Sequence, residues 1–223
     1  MTNPGRSLSL TRMTAEDYDL LAAWSSSLTG VYASATVAFV SGEELREHAR
    51  ESGHTYLMVV TKDGERVGAV DYRQVTYPGS YEFGIGVGDS RTWGDGYGAA
   101  VVDAAIEHLF HALNAHRIQG IVGIYNQRTV GMAIRRGFTV EGLLRDFFYL
   151  DGTYHDAVMI SLLREEYYAY TREGTHRLAP PRDRVPQSER EAAVEALRVH
   201  LEEGPKDHLL ELLVRPRHSP SSP

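Results

Sequence analysis

Between Glu82 and Phe110 the chain carries a pattern that few folds can use. It reads Glu82-Phe-Gly-Ile-Gly-Val-Gly88, then Arg91-Thr-Trp-Gly94-Asp-Gly96-Tyr-Gly98-Ala-Ala100, then Val101, Val102, Ala105, Ile106, Leu109 and Phe110 at helical spacing. The spacing predicts a strand that delivers a turn too rich in glycine to serve packing, and the turn opens an amphipathic helix. The first amides of that helix have no partners inside it, and the positive end of the helix dipole lies behind them. Such a terminus binds anions, and glycines let the backbone approach a pyrophosphate closely. The stretch is therefore predicted to be a phosphate cradle in an α/β unit.

Two cofactor classes use this device. Gly94-x-Gly96-x-x-Ala99 matches a dinucleotide fingerprint, but that site wants an acidic residue about 20 positions further on, at the end of a second parallel strand. The next strand-like segment, Ile118 to Ile124, ends in Tyr125-Asn126. The other frame is Arg91-x-x-Gly94-x-Gly96, and in it the stretch resembles the acyl-CoA-binding motif of the GNAT N-acetyltransferase superfamily. His116-Arg117-Ile118, Asn126-Gln-Arg-Thr129, Arg135-Arg136-Gly137-Phe138, Leu144-Arg145-Asp146, Asp151-Gly152-x-Tyr154 and Ser161-Leu-Leu-Arg164-Glu165-Glu166 follow in the order of its RimJ/RimL-like branch. The resemblance spans about residues 7 to 170 and is most specific after residue 80.

The resemblance implies a fold, a co-substrate and a site. The fold class is α/β, with a mixed, mostly antiparallel central sheet and helices on both faces, plus a short helical appendage. Acetyl-CoA is the implied acyl donor and a primary amine the acceptor, a small molecule or a peptide N-terminus. Ile85 and Val87 match main-chain positions that pair with the pantetheine arm. Arg91, Trp93, Gly94, Gly96 and Gly98 match the pyrophosphate loop, and Asn126 the asparagine beside the pantetheine. Read without the resemblance, Asn126 is a helix cap. Glu82 matches a glutamate that acts through water as general base, or else is a structural carboxylate. Ala133 stands where relatives usually carry a tyrosine near the sulfur. Water, Tyr125, Tyr149 or Thr129 would have to replace that proton donor, although a thiolate leaving group with a pKa near 8.5 departs with little help.

The same segments give an element order along the chain. Thr14-x-x-Asp17 and Ser41-x-x-Glu44 read as capping boxes for two helices, and Lys62-Asp-Gly64-Glu as the turn of a hairpin. Gly137 reads as the stop of a helix from about Arg128 to Arg136. Phe147 to Leu150 and Ala157 to Leu163 flank Asp151-Gly152 as a second hairpin. The order is βααβββαβαββ. Residues 28 to 40, with Tyr32 and Phe39, show no clear period, and in the family the corresponding region lines the acceptor pocket. The expected organisation is an acetyltransferase domain over 1–172, a proline-rich linker over 173–187, a helical extension over 188–215 opened by Ser188-x-x-Glu191, and a disordered tail over 216–223.

Composition excludes several alternatives. The chain of 223 residues has no cysteine, so acyl transfer through a cysteine thioester is excluded and the amine must attack directly. Its net charge of -7 and the lack of a basic stripe argue against nucleic acid and suit a cationic acceptor. No apolar run approaches the roughly 20 residues that span a bilayer, and the N-terminus lacks a leader's apolar core, so a cytoplasmic protein without membrane contact is expected. His108 and His111 lie one turn apart with no third ligand at suitable spacing, and no metal is assigned. A homodimer is compatible with the C-terminal extension. Two rival readings stay open: a catalytically silent acyl-CoA-binding module acting through a partner, motivated by Ala133, and a nucleotide-dependent oxidoreductase.

Overall fold

The computed structural model describes residues 8–27, 30–32, 40–88, 97–178 and 180–203. The chain divides into two compact units, Met1–Pro181 and Arg182–Pro223. In the first, β1 (Ser9–Arg12), α1 (Ala15–Ser25), α2 (Gly42–Ser52), β2 (Thr55–Val60), β3 (Arg66–Gln74) and β4 (Ser80–Val87) lead to α3 (Tyr97–Glu107), which runs on as a π-type turn over His108–Ala112. β5 (Arg117–Gly123), α4 (Gln127–Arg135), β6 (Thr139–Leu150), β7 (Thr153–Leu163) and α5 (Arg164–Glu173) complete the unit. The strands form one seven-stranded sheet in the order β1-β2-β3-β4-β5-β7-β6. Every neighbouring pair is antiparallel except β4 and β5, so the sheet is mixed and mostly antiparallel as expected.

Local chemistry accounts for the element ends. Both capping boxes form: the Thr14 hydroxyl accepts from the Asp17 amide while Asp17 Oδ2 accepts from the Thr14 amide, and Ser41 and Glu44 do the same for α2. Gly137, at φ +75°, closes α4 with two bonds, its own N–H to the carbonyl of Ile134 and that of Phe138 to Ala133. Asp151 and Gly152 both have positive φ, the signature of the two-residue turn that matches strand twist. The β6–β7 hairpin is longer than the sequence implied, because β6 begins at Thr139. Its ladder is interrupted between Leu144 and Phe148, where Asp146 takes φ +50° and its amide bonds Asp156 Oδ1, so the alternation there breaks and reads as loop.

The α3 side of the sheet carries the two large apolar clusters, while Met58 and Ala69 with Leu21, Ala22 and Ala49 are buried on the other face. Val101, Val102, Ala105, Ile106, Leu109 and Phe110, the predicted apolar stripe, are all buried. They pack with Ile118, Leu162 and Val70, and Phe110 stacks on Tyr167 of α5 at 4.9 Å between centroids. Leu178, within the expected linker, also belongs to this core. α1 covers the opposite face, where a Cβ on Gly86 would meet Leu21 at 4.0 Å. An ion pair between Asp17 and Arg66 ties α1 to β3. Burial alone would raise the Asp17 carboxyl, but the Thr14 amide and Arg66 outweigh it and hold it below its usual range.

In the second unit, α6 (Gln187–Glu203) starts one residue before the expected cap. The amides of Glu189 and Arg190 donate to the carbonyl of Pro186, and Glu191 accepts from Gln187 Nε2, so Ser188 lies inside the helix instead of capping it. Arg198 pairs with Glu195 and Glu202 along the helix.

Candidate active site

β4 and β5 pair at only three positions, Ser80 with Arg117, Tyr81 with Ile118 and Glu82 with Gln119. Beyond that point β4 stays on β3 as far as Val87, and β5 stays on β7 as far as Gly123. The two strands therefore part in a V. At its apex Gly120 lets the strands approach closely, since a Cβ there would come to 3.3 Å of the Phe83 carbonyl oxygen. The V opens into a cavity of about 530 Å³.

The cavity passes through the sheet and has two sides of different character. On the core side it is walled by Ile85, Val122, the first turn of α3 at Gly98 and Ala99, and one face of α4. α4 contributes Asn126, Thr129 and Ala133, with Arg128 and Arg135 supplying positive charge. The Asn126 side chain caps α4 by accepting from the Thr129 amide at 3.1 Å. Buried Arg136 sets the spacing of α3 and α4: its Nε donates to Asp103 at 2.6 Å and its Nη2 to the carbonyl of Ala99 at 2.8 Å. Burial raises the Asp103 carboxyl, and Arg136 opposes the rise.

The other side is acidic and aromatic. Asp71, opposite Gly84 in the β3–β4 ladder, lines the cavity. Its Oδ2 lies 3.1 Å from His54 Nδ1. Gly84 makes room for it, because a Cβ there would meet Asp71 Oδ1 at 2.5 Å. Tyr56, the other cross-strand neighbour of Asp71, has its phenol pushed up to about 12, by burial first and by the Asp71 charge second. Tyr32 lines the same side and donates its hydroxyl to the carbonyl of Tyr125 at 2.9 Å.

Of the residues singled out in the sequence, the structure gathers Ile85, Gly98 and Asn126 at the cavity wall, together with Ala133 and Thr129. The backbone of Val87 ends β4 opposite Gly68. Arg91, Trp93, Gly94 and Gly96 lie outside the described residues, as does Phe39. Glu82 sits at the last paired position before the V and is gripped by Arg73, whose Nη2 and Nε reach Oε1 at 2.7 and 3.1 Å. It does not line the cavity. Tyr149 and Tyr154 pack on each other at 4.9 Å and are largely exposed. Sequence reasoning missed Asp71, His54, Arg128 and Arg135; the one signal for Asp71 was a carboxylate ending the apolar run Val67 to Val70 in a strand.

A family profile described as "Acetyltransferase (GNAT) domain" matches residues 7–139, more than half of the chain. The chain belongs to the GNAT acetyltransferase family. It is accordingly an acyltransferase that carries acetyl from acetyl-CoA to an amine. This GNAT protein is 28% identical over 170 residues to the uncharacterized N-acetyltransferase p20 of Bacillus licheniformis, covering 72% of this chain and 94% of that one. It is 26% identical to the spermidine N(1)-acetyltransferase of Escherichia coli K12, with 59% of this chain and 71% of that one covered. To the ribosomal protein uS5-alanine N-acetyltransferase of the same strain it is 24% identical, covering 52% and 60%. The crystal structure of the Vibrio cholerae spermidine N-acetyltransferase with CoA and spermine superposes with a TM-score of 0.66 at 22% identity, over 72% of this chain and 98% of that one. The likeness at this TM-score shows a shared fold.

Proposed function

We propose that the acyl donor occupies the core side of the cavity and that a cationic primary amine reaches the thioester from the Asp71 side. The observation that carries this reading is the V between β4 and β5, with arginines on one side and a carboxylate on the other. An extended pantetheine arm fits the V as an added strand would, against Ile85 and Val87 on β4. The first turn of α3 at Gly98, with Arg91, Trp93, Gly94 and Gly96 before it, would take the pyrophosphate, and Arg128 and Arg135 add the positive charge that its phosphates need. Asn126 stands where the arm meets α4. The amine nitrogen then attacks the carbonyl carbon, the C–S bond breaks with its electrons on sulfur, and the thiolate takes up a proton. Thr129 is the hydroxyl on the core side of the wall that suits the relay of this proton, Ala133 having none.

The relatives' names give spermidine and an alanine of ribosomal protein uS5 as acceptors, and these amines define the panel for this protein. Incubation with acetyl-CoA and either amine should release free thiol, which a cysteine-free chain reports without background. The presence of Ala133 in the wall favours one other reading, a module that binds acyl-CoA without turning it over. Acetyl-CoA binding without thiol release across polyamines and alanyl peptides would decide for the module.

A further inference from the structure

We infer that Asp71, and not Glu82, is the catalytic base that receives the acceptor ammonium, with His54 as its positioning residue. The inference rests on the acetyltransferase reading above and assigns a role within it. The two carboxylates stand on the same face of neighbouring strands, Asp71 opposite Gly84 and Glu82 opposite Arg73. Arg73 engages Glu82 with two hydrogen bonds, which balances its charge and holds it at the closed end of the V. Asp71 lies two pairs further on, where β4 and β5 have parted, and its carboxylate is in the cavity wall.

The surroundings of Asp71 suit this task. The side chain is 26% exposed, enough to meet a ligand and too little to be dissolved in bulk water. His54 holds Oδ2, and the ring of His54 stacks on Tyr56 at 6.1 Å, so the carboxylate is oriented from behind. Gly84 leaves Oδ1 the space that any side chain would take. The groups facing Asp71 are His54, Tyr56 and the Arg73–Glu82 pair. In the step, R–NH3+ gives one proton to the Asp71 carboxylate, and the freed lone pair forms the N–C bond. The C–S bond breaks, and a second proton leaves nitrogen for the thiolate to give CoA-SH. Asp71 then returns its proton to solvent.

The test compares wild type, Asp71→Asn and Gly84→Ala with spermidine and with an alanyl peptide as probes, at saturating acetyl-CoA. Asp71→Asn keeps the shape and should lower kcat about 100-fold or more, the range of a general base, while acetyl-CoA affinity by calorimetry is unchanged. Raising the pH deprotonates the amine in solution and should restore part of that rate, which a merely structural role would not do. Gly84→Ala retains the carboxylate but displaces it, and should lose turnover in the same sense. Wild-type turnover by Asp71→Asn, or a loss of acetyl-CoA binding in step with turnover, overturns the inference. So does the reverse pattern, in which Glu82→Gln loses the amine step and Asp71→Asn keeps it. A wild type that binds no acetyl-CoA removes the acetyltransferase reading itself, whereas one that binds it and neither acetylates nor is stabilised by either probe overturns the placing of an amine at Asp71.

Discussion

Single glycines around the V do different work, and their spacing in the sequence does not tell them apart. Gly84 makes room for a carboxylate and Gly120 for a carbonyl, while Gly88 lets α1 close on the sheet. A Cβ on Gly88 would meet the Trp24 ring at 2.7 Å. Gly88→Ala should therefore destabilise by about 1–3 kcal/mol, as overpacking does, read as a lower urea midpoint with an unchanged slope. A substitution at the open turn glycine Gly152 tests a different cost, since nothing lies within 4 Å of its Cβ and only its φ of +75° resists. Asn126 shows how far residue-level reading reaches. Its cap role was legible from the helix that follows, but its place in the cavity wall depends on β4 and α3, which are distant in sequence. Asp71 was illegible for the same reason: its neighbours His54, Tyr56 and Gly84 come from two other strands and the turn before one of them.

At the scale of elements, the site exists because two strands part and two helices are held across the gap. Arg136 is the fastening, buried between Asp103 and the carbonyl of Ala99. Arg136→Met removes one member of a largely buried pair and leaves Asp103 without it, so stability should fall by about 3 kcal/mol in urea titration, with acetyl-CoA affinity falling too as α3 and α4 shift. β6 is fastened by Glu141, which takes two bonds from Arg117, both at 2.6 Å, and one from the Ser161 hydroxyl at 2.7 Å. Arg117 first, then Ser161, hold the Glu141 carboxyl at about 2 against a usual 4.5. A carboxyl depressed in the folded state adds stability above its unfolded pKa and loses it as pH falls through the folded one. The contribution is therefore complete above about pH 4.5 and gone near pH 2. Glu141 is partly exposed, which limits the effect to about 1 kcal/mol or less, and Glu141→Gln should flatten the acid limb of the stability curve within that window. The capping boxes of α1 and α2, the tight turns and the α3 stripe were readable because their signals are local. The start of β6 was not, because an irregular ladder near Asp146 hides the alternation.

For the whole molecule, the glycine pattern, the order of elements and the family profile agree on one architecture, and among the described strands the one parallel pair, β4 and β5, lies at the site. Among the described residues no helix is long and apolar enough to cross a membrane, and no group of three or more His, Asp or Glu gathers to hold a metal ion. The cavity joins a basic side to an acidic one within a chain of net charge -7, an arrangement suited to an anionic donor meeting a cationic acceptor. The global measurement that tests this most directly is the melting temperature with and without acetyl-CoA, with NADP as control. At about 100 times its dissociation constant a ligand adds roughly 2.7 kcal/mol to the folded state, a shift of several degrees for a chain of this size. A rise with acetyl-CoA and none with NADP is the predicted result. No rise at millimolar acetyl-CoA would contradict the placing of the coenzyme in the V between β4 and β5.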